Sequence, residues 1–307
     1  MSRVTVDGVA LSVIDIPYRR AVAGRPPATP IVFVHGLAAS SAMWYAPAAK
    51  FFSLLGPCLL YDLRGHGKSD MPERGYGISR MADDLLGLLD ARGIDRAHLV
   101  AHSFGGMICL LFALRHPERV ASLVLADVRL RQVQSALEIE TDRIMPALKA
   151  RLLELGVDAA GLERARDGID YLTEVARIEV AAGPNAGDIL RAIYRHPRLF
   201  RSRRNAMRWI QLTERASLAE DVAELEFAAA DIARIACPIL ALVGGNSPTV
   251  ASARAIARIC PNAILKEVPD VGHFFPIAHP KLFARPTFRF LRAVNRQEAA
   301  SDRAAPA

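Results

Sequence analysis

Six short apolar runs, separated by segments of helical period, leave this chain few folds to choose from. They are Pro30–His35, Cys58–Tyr61, Ala97–His102, Val120–Ala126, Pro238–Val243 and Ala263–Val268. A strand with one face in water alternates apolar and polar side chains, whereas most of these runs are apolar nearly throughout, as strands buried on both faces of a sheet must be. Between them the period changes to that of a helix. Met107, Leu110, Leu111 and Leu114 fall at i, i+3, i+4 and i+7, and Pro117 stops the pattern just after His116. Strand and helix therefore alternate, which implies βαβ units and a parallel sheet with helices on both faces.

The rhythm breaks between Leu130 and Asp231, where helical segments punctuated by Pro146, Gly156, Gly183-Pro184 and Pro197 contain no convincing strand. At 307 residues the chain is short for two independent domains. The arrangement expected is one α/β core of residues 1–130 and 233–298, a helical insertion at 131–232 and a flexible tail at 299–307. Charge is segregated within the insertion: seven arginines from Arg191 to Arg208 precede Glu214, Glu220, Asp221, Glu224, Glu226 and Asp231. Two readings stand: solvated helix faces paired with one another, or an anion-attracting pocket rim.

Several function classes fall away. The first twenty residues alternate around an Asp7-Gly8 turn and read as a hairpin, with neither the apolar run nor the cleavage site of a secretion signal. No run of eighteen apolar residues occurs, so neither a membrane partner nor a membrane span is expected, and the localisation expected is cytoplasmic. Cys58, Cys109, Cys237 and Cys260 match neither zinc-ligand spacing nor a disulfide framework and read as reduced core residues. The net charge of +7 is diffuse and accompanies no nucleic-acid motif, so no nucleic-acid partner is expected either. No cofactor or metal is implied; a homodimer is left open.

The chemistry concentrates at Ala101-His102-Ser103-Phe104-Gly105-Gly106, between a buried strand and an amphipathic helix. A serine held at a sharp strand-to-helix turn needs tiny neighbours two residues away on either side, and Ala101 and Gly105 meet that need. The turn lifts the hydroxyl clear of the sheet, and the helix N-terminus faces developing negative charge. These residues resemble the nucleophile elbow of the α/β-hydrolase superfamily, with Ala101 where the pattern has glycine. Outside the insertion the resemblance covers nearly the whole chain. It implies an α/β-hydrolase fold with a mostly parallel eight-stranded sheet and an inserted helical cap over the site.

The resemblance also implies roles. His35-Gly36-Leu37 stands where the superfamily places its oxyanion loop, which assigns the backbone N–H groups of Leu37 and Phe104 to the oxyanion hole. Asp62-Leu63-Arg64-Gly65-His66-Gly67-Lys68-Ser69 is similar to an architectural loop of the family. His273, after the last strand, is the general base that Ser103 requires. The acid departs from the commoner pattern, because Gly244-Gly245-Asn246-Ser247-Pro248 offers no carboxylate where an aspartate usually stands. Asp127, at the end of the strand beside the elbow strand, is the first candidate; Asp270, Asn246, or no acid at all are the alternatives. Met43, Trp44, Trp209 and Phe274 are candidate walls of an apolar substrate pocket.

The function expected is a serine hydrolase that cleaves an ester, lactone, thioester or amide of a small, largely apolar molecule through Ser103, His273 and Asp127. The rivals are carbon–carbon hydrolysis of a diketone-like substrate and a ligand-binding sensor with slow or no turnover.

Overall fold

The structure, a computed structural model, describes residues 1–20, 28–44, 49–134, 153, 168–182 and 203–304. Eight strands form one sheet in the order β1-β2-β4-β3-β5-β6-β7-β8. They are β1 Ser2–Val6, β2 Val9–Ile16, β3 Ile31–Val34, β4 Cys58–Tyr61, β5 Ala97–His102, β6 Val120–Ala126, β7 Ile239–Gly244 and β8 Ala263–Val268. The first two form the expected hairpin. Asp7 and Gly8 take φ of 49° and 80°, the positive pair that a two-residue turn needs to match strand twist. β2 runs antiparallel to β4, and every pairing from β4 to β8 is parallel.

The double-sided burial read from the apolar runs is realised as two cores, one on each sheet face. Val32, Val34, Leu99, Ala101, Leu123 and Leu125 face one side, where helix Phe104–Arg115 packs on their strands and helix Ile78–Ala91 packs against that helix and β1. Ile31, Phe33, Val100 and Val124 face the other, against Phe52, Phe283 and Leu291. The strict alternation between neighbours follows from the two-residue period of a strand. Burying each such side chain contributes roughly 1.5–3 kcal/mol, so the strand ends rest on a stiff base.

The final helix, Pro280–Ala304, continues into the stretch expected to be a flexible tail. Asn295 meets His98 Nε2 at 2.7 Å and Glu298 pairs with Arg96 at 2.8 Å, which ties that helix to the start of β5. All four cysteines are free. Burial raises Cys58 and Cys237 to about 12 and Cys260 to about 11, so they stay thiols at neutral pH. Among the described residues no helix is long and apolar enough to cross a membrane.

Candidate active site

β5 ends at His102 and its register pairs His102 with Ala126 of β6. Ser103 is the next residue, and its N–H donates to Ala126 O at 3.0 Å, so it leaves the sheet from a fixed point. Its backbone sits at φ 53°, ψ −124°, a conformation that costs a non-glycine residue roughly 1–3 kcal/mol. Gly105 shows why this turn tolerates so little: a Cβ there would come within 2.5 Å of His35 O. The elbow is thus wedged against the strand that carries the neighbouring loop.

His273 reaches the elbow from the loop after β8. Its Nε2 lies 3.1 Å from Ser103 Oγ and its Nδ1 lies 3.3 Å from Asp127 Oδ1. Asp127 occupies on β6 the place that Ser103 occupies on β5, one residue past the last paired position, and its N–H donates to Leu242 O of β7 at 2.8 Å. Its side chain is fully buried, whereas that of His273 is 22% exposed. Of the alternatives, Asp270 stands on an exposed turn with φ 59°, and Asn246 is exposed with its backbone N–H on Val271 O. Asp127 is therefore the carboxylate that the fold brings to His273.

The loop after β3 is set by buried hydrogen bonds. His35 Nδ1 meets Gly36 O at 2.8 Å, and since a carbonyl only accepts, Nδ1 carries the proton. Nε2 then accepts from Leu63 N–H at 3.0 Å. Burial lowers the pKa of His35 and keeps it neutral, which this donor–acceptor pattern requires. In a trans peptide the Leu37 N–H points opposite to the Gly36 carbonyl, so fixing one fixes the direction of the other. Asp62 accepts from Ser41 N–H at 2.7 Å and Lys68 N–H at 2.9 Å, tying the same loop to the turn after β4. Phe104 N–H, in the first turn of helix Phe104–Arg115, has no acceptor within the helix.

A model of the α/β-hydrolase fold family matches residues 29–280. The chain belongs to the α/β-hydrolase family. Among known proteins it is similar to the "Putative carbamate hydrolase RutD" of Caulobacter segnis, 37% identical over 129 residues that cover 41% of this chain and 45% of that one. The chain thus spans less than half the length of the first curated relatives it matches. A thermophilic esterase from Thermogutta terrifontis superposes with a TM-score of 0.64 at 23% identity, covering 96% of this chain and all of that one. An enol-lactonase from Burkholderia xenovorans LB400 does so with 0.60 at 23%, covering 95% of this chain and 100% of that one. At these identities the structures share the fold.

The expected pocket walls divide into two groups. Met43 and Trp44 do not face the site: the short helix Ala42–Trp44 turns both inward, with the Trp44 ring 5.5 Å from Phe33 and 5.3 Å from Phe283. Trp209 and Phe274 lie elsewhere. Phe274 lies edge-on to His273 at 4.9 Å. Trp209, on helix Arg203–Arg215, lines a cleft with Asn205, Arg208 and Leu212 of that helix, Ala38 and Ala39 after the β3 loop, and Gly65, His66 and Gly67. Its Nε1 donates to Thr173 of helix Gly168–Ala182 at 3.1 Å, which joins the two helices.

Most of the arginine-rich stretch lies outside the described residues. Arg203 and Arg204 are exposed, while Arg208 donates to Ser69 O. Two members of the acidic half reach the core. Asp221 accepts from Gly75 and Tyr76 N–H, both at 2.8 Å, and Glu226 from Ser79 N–H at 2.7 Å. Glu226 thus satisfies a first-turn donor of helix Ile78–Ala91.

Three polar side chains at the site were missed from sequence. His102 lies under the base: its Nε2–H donates to His273 O at 3.0 Å and the rings are 4.9 Å apart. Burial drives its pKa down to about 3, so it remains a neutral donor. Ser247 and Thr249 both donate to Asp127. The one available signal was a hydroxyl-bearing loop in the place of an acidic one.

Proposed function

We propose that this hydrolase cleaves an ester, lactone, thioester or amide of a small, largely apolar molecule by acyl transfer, with Ser103 as nucleophile, His273 as general base and Asp127 as its orienting acid. The observation that carries this reading is the unbroken chain from Ser103 Oγ through His273 to fully buried Asp127, at 3.1 Å and 3.3 Å. Ser103 attacks the substrate carbonyl while His273 Nε2 takes its proton, and the oxyanion rests on Leu37 and Phe104 N–H. Losing one such donor typically costs roughly 3–4 kcal/mol of transition-state stabilisation. His273 returns the proton to the leaving group, and a water that it activates then releases the acid from Ser103. Esterase, lactonase and carbamate hydrolase, the activities named among the relatives, are variants of this one exchange.

Residues 131–232 are proposed as the cap that shapes access. Support comes from Arg208, Trp209 and Leu212, which meet the turn after β4 at the same end of the sheet as Ser103.

A serine-reactive phosphonate tests the reading. One adduct per chain is expected on the peptide that contains Ser103, lost in Ser103→Ala together with turnover of a panel of esters, lactones and thioesters. Labelling or turnover that survives the substitution would sink it.

A further inference from the structure

The loop from Gly244 to Thr249 has no carboxylate, yet it is bound to one. Gly244 N–H donates to Asp127 Oδ2 at 3.0 Å, Thr249 Oγ1 lies 2.7 Å from Oδ1, and Ser247 Oγ makes a short contact with the same oxygen. An ionised carboxylate only accepts, so both hydroxyl protons point at Asp127. The two hydroxyl oxygens also lie 3.1 Å from each other, so they reach Asp127 as one cluster. Ser247 Oγ lies 3.3 Å from Thr249 N–H, which can fill a lone pair while the Ser247 proton goes to Asp127.

Thr249 gives a second and independent sign. It is the N-cap of helix Val250–Ile259, where a threonine ordinarily turns its hydroxyl to the first-turn N–H groups, but its side chain makes no cap hydrogen bond. The hydroxyl is spent on Asp127 instead. The donors also crowd one atom: Ser247, Thr249 and His273 Nδ1 all converge on Oδ1, and the His273 contact, at 3.3 Å, is the longest of those to Asp127.

We infer that Ser247 and Thr249 are positioning residues for the acid of this site, clamping Asp127 in the rotamer that meets His273 and dividing its charge among four donors. The inference rests on the acyl-transfer reading above. In the commoner arrangement this loop would carry the acid itself; here it supplies the hydroxyls that hold an acid arriving from the neighbouring strand. The two hydroxyls and the Gly244 N–H together fill acceptor positions that a buried carboxylate would otherwise leave without partners. Among the described residues the titratable groups facing His273 are Asp127 and His102, and His102 is neutral. Removing donors from Asp127 therefore concentrates its charge on His273 and favours the imidazolium, which cannot accept the serine proton.

The experiment compares Ser247→Ala, Thr249→Val, the double variant and Thr249→Ser, on any ester that the native protein turns over. The double variant is expected to lose about tenfold to a hundredfold in kcat with KM within about twofold, and to move the acidic limb of kcat/KM to higher pH. Thr249→Ser, which keeps the donor, is expected to stay within about threefold of native. Should the double variant fail to fold, the single variants carry the test, each with the same direction of shift. A folded variant lacking a hydroxyl with an unmoved limb and unchanged kcat overturns the inference, as does Thr249→Ser falling as far as Thr249→Val. Failure of the underlying reading looks different, since native protein would then take no phosphonate on Ser103 whatever happens at 247 and 249.

Discussion

Asp127 and Glu179 are both buried carboxyl groups, and the regions that hold them treat them in opposite ways. Asp127, at the strand ends, accepts from a backbone N–H, two hydroxyls and an imidazole. Glu179, on helix Gly168–Ala182 of the inserted segment, leaves Oε2 buried without a hydrogen bond among the described residues. Burial then raises its pKa to about 7. The contrast shows that burial alone does not make a charged site. A buried carboxyl left without donors takes up a proton.

The largest effect should follow from breaking the well-supplied side. Asp127→Asn keeps the shape and removes the charge, and kcat should fall by about 10³–10⁴ with phosphonate access to a folded site as the control. If Asp270→Asn costs more than Asp127→Asn, the acid has been assigned to the wrong residue. A smaller loss is expected beneath the base. His102→Leu removes the donor to the His273 carbonyl and should lower kcat about tenfold with KM little changed, while His102→Gln, which can still donate, should recover most of it. Equal losses in both would leave His102 a packing residue. Asp270→Asn itself should change kcat by less than about tenfold.

The other side of the comparison is read in stability. Glu179 has a folded-state pKa of about 7 against 4.5 for the free group, so the folded chain holds a proton that the unfolded chain releases between those values. The stability that this gives is complete below the unfolded value and is lost as pH rises through about 7. Glu179→Gln should therefore leave Tm unchanged near pH 4.5 and raise it above pH 7, by roughly 2–4 °C per kcal/mol recovered. A melt in which the difference between variant and native is independent of pH would remove Glu179 from this contrast.

Much of the architecture was legible because it is written in periodicity. Doubly buried strands need apolar runs, and the elbow needs Ala101 and Gly105 at fixed offsets from Ser103, so strand positions and the serine could be read from local sequence. His273 and Asp127 followed from their places relative to those strands, and register explains why: residues 102 and 126 pair, so 103 and 127 leave the sheet side by side. What sequence could not give was side-chain direction in irregular backbone. Met43 and Trp44 look like pocket residues in a list of aromatics, yet a single helical turn faces them into the core. Ser247 and Thr249 look like ordinary turn and capping residues, and only the approach of Asp127 from another strand changes their partners.

Ser103 and Asp127 share one further property, a positive φ of 53° and 54° on residues that are not glycine. Glycine would relax either position, and asparagine would sit more easily than aspartate at the second. At Ser103, selection for thermal robustness alone would thus drift toward a replacement that removes the proposed nucleophile. A library screened only for survival of heating should enrich Gly at 103, whereas at 127 the relief of backbone strain is offset by the buried donors left without an acceptor.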